Sequence, residues 1–369
     1  MTWRESFATP WQVRRRFHKA ERINLDMKSA NKLIFSMIFF LIVTVLIITV
    51  AVKKREKGEY SEISFFAMDT YMSIVADGGN SKDSLEAAKK RICELEALLS
   101  TTDKNSEVYR LNHDKTAKLS YEVFNLIKYS VEIGKATGER FDIAVYPAVE
   151  AWGFTGNAYN VLTDEQIQEI LPYLSLDNII IEEPDKIRLN DKAAVDLGGI
   201  AKGYATYEVA TMLRENGTDS ALINLGGNVY ALGCKNDGSP WRVAVKNPNG
   251  EEPYLGVLSV SDMSVVTSGD YERYFEIDGH RYHHIIDSKT GCPADNDVCS
   301  ATVVSSNATL ADALSTAIFV YGEEGAEEYW RESDEEFQYI MLTKDNRLLV
   351  TEGLVNCFES DFEYSTVKK

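Results

Sequence analysis

Short runs of β-branched and aromatic residues, separated by turn residues, fill the sequence from residue 178 onward and limit the possible folds more than any other feature. They cover residues 178–182, 186–190, 193–197, 220–225, 229–233, 241–246, 255–260, 264–267, 272–277 and 281–286. Such runs predict antiparallel strands. Apolar residues at helical spacing predict helices over residues 84–99, 121–136, 200–216 and 310–321. Together these patterns predict an α+β fold with largely antiparallel sheets and flanking helices, rather than a doubly wound sheet.

Three local patterns refine this prediction. Residues 64–75 are rich in aromatic and β-branched residues and predict one long strand. The sequence from Thr163 to Gln166 is a capping box and predicts the start of a further helix. Asp278-Gly279 predicts a tight hairpin turn, with residues 280–286 as the returning strand.

Residues 33–52 form an apolar run without charge or proline. A helix of this length spans roughly 30 Å, which matches the hydrocarbon core of a membrane. A cleaved signal peptide is the alternative, but no small-residue cleavage site follows the run. We therefore predict a cytoplasmic segment over residues 1–32, a single transmembrane anchor over residues 33–52, a linker over residues 53–61 and a globular domain over residues 62–369. The basic residues before the run predict that this domain lies outside the cytoplasm; Met27 is an alternative start.

Charge and cysteine content exclude some functions. The chain has a net charge of −18, although its first 52 residues are basic. An acidic domain argues against nucleic acid as a partner. An anionic ligand must then be bound locally, by a helix dipole, a lysine or a metal ion. The five cysteines lack C-x-x-C spacing, which argues against a zinc site. Cys292 and Cys299 are the only pair close in sequence, and the sequence is compatible with a disulfide between them or with free thiols.

The segment from Asp196 to Tyr204 has the pattern of an anion site. It passes from a predicted strand through two glycines into a helix, with Lys202 in the first turn. A helix N-terminus presents free N–H groups and partial positive charge to a phosphate. It matches neither a Walker A loop nor G-x-G-x-x-G. An ordinary strand–helix turn with a solvated lysine is the alternative.

Asp312 and Thr316 are four residues apart, so they share one helix face and could bind Mg²⁺ through oxygen atoms. The alternative is that Thr309 and Asp312 form a capping box. His283 and His284 occupy adjacent strand positions, point to opposite faces, and so can contribute only one histidine to a given site. Asp287 lies within reach of either the metal or a hydrogen bond that orients the histidine.

In combination these segments resemble the ApbE family of FAD:protein FMN transferases. The resemblance covers residues 66–322 and is carried, in the order of the family, by residues 68–70, 100–112, 141–154, 195–204, 223–227, 241–248, 267–273, 282–291 and 311–322. The sequence departs from the family pattern at Asp69, Thr102, Tyr207, Asn228 and Ser288.

The resemblance implies a T-fold-like flavin transferase domain that binds FAD as substrate with Mg²⁺. It implies transfer of the FMN moiety to a Thr or Ser hydroxyl of an acceptor flavoprotein, with release of AMP. The residues it places at the FAD site are Met68, Arg140, Phe141, Asp142, Asp196, Lys202 and Ile285. The metal ligands it implies are the Asp312 and Thr316 side chains and the Gly199 carbonyl, with His284 and Asp287 in the catalytic roles.

The resemblance also implies the partner and the location. Acceptors of this family are outward-facing subunits of membrane redox complexes or secreted flavoproteins, which agrees with a domain anchored at the outer side of the cell membrane. Two other functions use the same site. One is a Mg²⁺-dependent pyrophosphatase that splits FAD into FMN and AMP, and the other is a non-catalytic FAD-binding surface protein.

Overall fold

A mixed nine-stranded sheet with helices on one face is the centre of the structure. The structure is a computed structural model that describes residues 60–77, 81–156, 158–250 and 252–369. The predicted cytoplasmic segment, the anchor and most of the linker lie outside the described residues, and so stay predictions. In the described part of the chain, no helix combines the length and the apolar composition needed to cross a bilayer.

The helices are α1 (Ser81–Leu99), α2 (Glu107–Asp114), α3 (Tyr121–Ala136), α4 (Tyr146–Ala151), α5 (Asp164–Ile170), α6 (Ala201–Glu215) and α7 (Ala308–Glu332). The strands up to the central hairpins are β1 (Ser61–Ala67), β2 (Thr70–Ala76), β3 (Thr116–Lys118), β4 (Ile179–Glu182), β5 (Lys186–Leu189), β6 (Ala221–Leu225), β7 (Asn228–Leu232), β8 (Trp241–Lys246), β9 (Tyr254–Val260) and β10 (Met263–Gly269). The remaining strands are β11 (Tyr274–Ile277), β12 (His280–His283), β13 (Ile286–Asp287), β14 (Cys292–Pro293), β15 (Val298–Ser305), β16 (Gln338–Thr343), β17 (Leu348–Thr351), β18 (Phe358–Glu359) and β19 (Ser365–Val367).

The large sheet has the strand order β1-β2-β6-β7-β10-β15-β16-β17-β19, and every neighbouring pair is antiparallel except β17 and β19. Because side chains alternate between the faces of a strand, each strand can serve two cores. Ile74 and Ile223 pack on one face with α1, α6 and α7, whereas Val75 and Leu222 face a small sheet of order β18-β9-β8. The predicted α+β fold with antiparallel sheets is confirmed.

Helices α6 and α7 cross in close contact at Gly203. A Cβ atom at this position would lie 2.4 Å from the carbonyl oxygen of Ala308 and 2.6 Å from Cβ of Asp312. Only a residue without a side chain therefore lets the two helices approach this closely. The crossing brings the N-terminus of α6 next to the second turn of α7, where Asp312 lies.

Two strand predictions were wrong. Residues 64–75 form not one strand but the hairpin β1–β2, because Met68 and Asp69 both adopt positive φ, of 48° and 58°, and reverse the chain. The Met68 N–H donates to Oε1 of Glu96 at 2.7 Å, so a contact with α1 holds a turn that carries no glycine.

The segment 193–197 is extended but pairs with no strand in the described chain. Its ladder partner is a side chain instead: the Val195 N–H donates to Oδ1 of Asn112 at 2.7 Å, and Nδ2 of Asn112 donates to the Val195 carbonyl at 2.8 Å. The capping box at Thr163 and Gln166 and the Asp278-Gly279 hairpin turn are confirmed. The returning strand, β12, is shorter than predicted, because it ends at His283 and residues 286–287 pair with β14 instead.

Candidate active site

One cleft of about 360 Å³ collects nearly all of the predicted site residues. It is bounded by the β1–β2 turn, the chain after α3, the N-terminus of α6, the segment that follows β12, and α7. The predicted residues in its walls are Met68, Arg140, Phe141, Asp142, Asp196, Gly199, Lys202, His284, Ile285, Asp312 and Thr316. Asp287 alone among the predicted residues does not line it.

The anion-binding part of the cleft is the N-terminus of α6. Ile200, the residue before the helix, provides no capping side chain; instead the Ala201 N–H donates to the Leu197 carbonyl and the Gly203 N–H donates to Asp312. Lys202 reaches the same position, and its ammonium group lies 3.4 Å from the Gly198 carbonyl. Asp196 accepts from the Gly198 N–H at 2.8 Å and shapes the turn, and burial raises the pKa of Asp196. This end of the cleft can hold a phosphate through a helix dipole and one lysine.

The three predicted metal ligands lie together beside this anion site. Oγ1 of Thr316 is 3.4 Å from the point where a Cβ atom on Gly199 would lie, so glycine leaves room between the two residues. Asp312 is buried, and its Oδ2 accepts from the Gly203 N–H at 2.7 Å. Burial raises the pKa of Asp312, while the nearby Lys202 acts in the opposite direction. One carboxylate, one hydroxyl and one backbone carbonyl make an all-oxygen set that suits Mg²⁺ better than a soft metal.

The capping-box alternative for Asp312 was wrong. The residue that caps α7 is Asn307, whose Oδ1 accepts from the Leu310 N–H at 3.1 Å. Asp312 instead accepts from the first turn of α6. In the described residues no cluster of three or more His, Cys, Asp or Glu side chains has metal-binding geometry, and the five cysteines are free thiols.

The two adjacent histidines face opposite sides, as predicted. His283 is buried, its Nε2 lies 3.0 Å from the Ala294 carbonyl, and its ring packs edge-on against Phe319. His284 lines the cleft with its ring partly exposed. The surrounding protein, with His283 and Lys202 nearby, lowers the pKa of His284 to about 3, so the ring is neutral at physiological pH.

Asp287 has a different contact from the predicted one. Its Oδ2 lies 3.1 Å from Nη1 of Arg140, and its Oδ1 accepts from the Lys289 N–H at 2.9 Å. The His284 ring instead has its Nδ1 3.3 Å from the Arg273 carbonyl. Asp287 therefore positions Arg140 in the cleft wall, and the backbone of Arg273 positions His284.

Asp142 places a carboxyl oxygen with no protein partner in the cleft wall. The residue is buried, its Oδ1 accepts from the Ala144 N–H at 2.7 Å, and its Oδ2 has no hydrogen-bond partner in the described residues. Burial raises the pKa of Asp142 from 3.8 to about 7. The carboxyl group can thus be a hydrogen-bond donor or acceptor to a bound ligand near neutral pH.

Sequence reasoning did not assign four further residues that contribute to the cleft. Glu96 holds the β1–β2 turn, Asn228 is buried beside Thr206, Glu272 lines the wall, and the Arg273 carbonyl contacts His284. Arg273 and Glu272 lie in a stretch that resembles the ApbE family, which is a usable signal. Glu96 has no such signal, because its role depends on a contact with a distant hairpin.

The fold and cleft define an α+β protein in which a helix N-terminus, a lysine, a buried carboxylate and a neutral histidine meet in one cleft. Residues 68–341 match the model of the ApbE family, and the chain belongs to this family. The resemblance found in the sequence is thereby confirmed.

Relatives in three organisms illustrate the match. The chain is 31% identical to a protein of Haemophilus influenzae named FAD:protein FMN transferase, over 80% of this chain and 86% of that one. A Treponema pallidum protein of the same name is 32% identical over 74% of this chain and 80% of its own. The crystal structure of the ApbE protein from Thermotoga maritima superposes with a TM-score of 0.76 at 31% identity, covering 80% of this chain and 98% of that one.

A fourth comparison concerns a structure whose name states an activity. The flavin transferase ApbE from Vibrio cholerae superposes with a TM-score of 0.74 at 28% identity, covering 81% of this chain and 99% of that one. The relatives therefore share both the sequence pattern and the architecture of the described domain.

Proposed function

We propose that this protein transfers the FMN moiety of FAD to a Thr or Ser hydroxyl of an acceptor protein in a Mg²⁺-dependent reaction that releases AMP. The observation that carries the proposal is the meeting in one cleft of the α6 N-terminus with Lys202, the oxygen set of Gly199, Asp312 and Thr316, and the neutral His284. The names of the relatives, which are FAD:protein FMN transferases, support the same reaction.

The reaction exchanges the phosphoanhydride bond of FAD for a phosphate ester bond to the acceptor. The acceptor hydroxyl oxygen forms a bond to the phosphorus of the FMN half, the bond from that phosphorus to the bridging oxygen breaks, and AMP leaves with the bridging oxygen. His284 accepts the proton of the hydroxyl. Lys202 binds the diphosphate oxygens, and its charge together with the helix dipole of α6 stabilises them. Mg²⁺, held by Asp312, Thr316 and the Gly199 carbonyl, would supply charge neutralisation at the diphosphate.

The proposed location is the outer side of the cell membrane, with residues 33–52 as the anchor. The proposal is supported by the length of the apolar run and the basic residues before it. The proposed acceptor is then an outward-facing redox subunit or a secreted flavoprotein. This orientation can be tested with a reporter enzyme that is active on only one side of the membrane. The reporter is fused to the C-terminus of the chain, and its activity shows on which side the domain lies.

The test of function is an in vitro transfer assay. The purified chain is incubated with FAD and Mg²⁺, with and without a redox domain that carries FMN on a threonine in its mature form, supplied unmodified. A fluorescent acceptor band on a denaturing gel that requires FAD and Mg²⁺ is the expected result. Release of FMN and AMP without a labelled band would assign a pyrophosphatase instead, and intact bound FAD would assign a binding protein.

A further inference from the structure

The tip of the β1–β2 hairpin exposes two large aromatic side chains. Phe66 is 70% exposed and Tyr71 is 66% exposed. They are directly opposite each other in the antiparallel register, so both lie on the same face of the hairpin. Their neighbours Phe65 and Met72 are buried on the other face. The aromatic pair therefore adds nothing to the core of the described domain.

This pair is immediately next to the cleft. The two-residue turn of the hairpin consists of Met68 and Asp69, and both residues line the cleft. At about 3.3 Å per residue, Phe66 and Tyr71 are each roughly 7 Å along the strand from a cleft residue. The turn itself is held to α1 through Glu96, so the distance from the aromatic pair to the cleft is fixed.

The aromatic character is restricted to the end of the hairpin that borders the cleft. Farther along β1, the exposed positions of the same face are Ser64 and Glu62. Other exposed aromatics, such as Tyr121 on α3 and Tyr254 on β9, do not line the cleft. Exposed aromatic residues beside a binding cleft are typical of surfaces that bind another polypeptide.

We propose that Phe66 and Tyr71 form the docking surface for the acceptor polypeptide and contact apolar side chains that flank its reactive threonine. The proposal rests on the proposed function, because a transferase whose substrate is a protein must bind that protein over the mouth of the cleft. With roughly 7 Å between the pair and the cleft, the contacted side chains lie about two to four residues from the threonine.

The position of β1 favours an extended acceptor segment. Strand β1 is the edge of the nine-stranded sheet in the described residues, so its outer backbone groups face away from β2. An extended peptide can pair with such an edge while its side chains contact the pair. The segment then runs along β1 toward the Met68–Asp69 turn and delivers its hydroxyl group to the cleft.

The test is a steady-state comparison of full-length wild type with a double variant, Phe66→Thr with Tyr71→Thr. Threonine keeps the preference for a β-strand while removing both rings. The probe is the unmodified redox domain of the transfer assay. The matched control is Tyr254→Thr, which removes an exposed strand tyrosine that does not line the cleft.

The expected result is a KM for the acceptor domain that rises about 10- to 100-fold in the double variant, with the KM for FAD within about twofold of wild type. Tyr254→Thr should leave both constants unchanged. Equal KM values for the acceptor in wild type and double variant would overturn the proposal, as would a parallel rise in the KM for FAD.

Size-exclusion chromatography completes the design. The proposal would be overturned if the wild type self-associates, the double variant does not, and the KM for the acceptor is the same in both. Phe66 and Tyr71 would then form a contact between two copies of the chain. A wild type that labels no acceptor at all would remove the proposed function, and this inference with it. A wild type that labels the acceptor keeps the function, whatever the double variant does.

Discussion

Two neighbouring residues at the end of β12, His283 and His284, have different surroundings and different roles. One ring packs against Phe319 in the core, and the other lines the cleft. Both pKa values are lowered, to about 4 and about 3, mainly because protein surrounds the rings. At neutral pH both are therefore uncharged, but of the two only His284 lines the cleft.

His284→Ala should lower kcat for FMN transfer by about 10²- to 10⁴-fold, the usual contribution of a general base. The Kd for FAD should stay within about threefold, because the diphosphate is held by α6 and Lys202. Transfer kinetics and fluorescence titration measure the two quantities. His280→Ala, an exposed histidine on the same hairpin, is the control. Full activity of His284→Ala would remove this residue from the mechanism.

Asp142→Asn should change how stability depends on pH. The pKa of Asp142 is raised to about 7 in the folded protein, from 3.8. Between these values the folded state holds more protons than the unfolded state, so wild-type stability falls as pH rises from about 4 to about 7. The asparagine variant has no carboxyl group to ionise and so lacks this loss. The free energy of unfolding of the variant minus that of wild type should increase by on the order of 1–4 kcal/mol between about pH 4 and about pH 7, and stay constant above that.

Urea unfolding of the ligand-free protein at several pH values measures this difference. Asp69→Asn, at an exposed position of the same cleft, controls for the loss of one negative charge. Parallel pH profiles for wild type and Asp142→Asn would show that the carboxyl group is ionised alike in the folded and unfolded states.

Among the secondary-structure elements, the crossing of α6 and α7 is what joins the anion site to the predicted metal ligands. Gly203 permits the crossing, and Asp312 completes it by accepting from the Gly203 N–H. Each helix alone would present half of the site. The packing of the two helices therefore determines the geometry of the site.

Gly203→Ala should destabilise the fold by about 1–3 kcal/mol, since the added methyl group meets the Ala308 carbonyl. This is the net change, after the gain of about 1 kcal/mol that alanine gives over glycine in a helix. The variant should also bind Mg²⁺ and FAD more weakly, because Asp312 is displaced. Thermal unfolding and FAD titration test both effects, with Tyr207→Ala on the exposed side of α6 as the control. A more stable Gly203→Ala variant would contradict this account.

The elements also show what sequence alone can predict. The β11–β12 hairpin was predictable because Asp278-Gly279 carries its own turn signal. The β1–β2 hairpin was not, because Met68 and Asp69 are held in positive φ by the contact with Glu96. The segment at Val195 has the residue pattern of a strand, but its hydrogen-bond partner is the Asn112 side chain, which no local pattern predicts. Local signals were sufficient where the turn is local, and they failed where a distant residue provides the partner.

The candidate site divides in the same way. The family resemblance supplied the residues of the cleft, and the structure brings eleven of them together. The pairing of Asp287 with Arg140 joins residues far apart in the chain and has no sequence signal. The same is true of the Arg273 carbonyl beside His284, since a backbone group carries no side-chain identity.

At the scale of the whole molecule, the cleft draws its walls from Met68 to Thr316, so a bound ligand connects most of the described domain. FAD at about 100 times its Kd should stabilise the protein by about 2.7 kcal/mol and raise Tm. Adding Mg²⁺ with FAD should raise Tm further, because the ligands on α7 then contribute. Differential scanning fluorimetry measures both shifts.

The control for the metal contribution is Asp312→Ala. The variant should start from a lower Tm, because Asp312 accepts a hydrogen bond from α6. It should also lose the additional shift from Mg²⁺ while keeping part of the shift from FAD. If Mg²⁺ raises the Tm of the variant as much as that of wild type, the cation binds elsewhere.

The spread of the cleft along the chain has a consequence for biosynthesis. A ribosome makes Met68 early and Thr316 late, and the two must meet to close the cleft. A nascent chain that stops before α7 lacks Asp312 and Thr316, the two side chains of the predicted metal site. The complete cleft can therefore form only after α7 has been translated, and premature termination removes the predicted metal site rather than altering it.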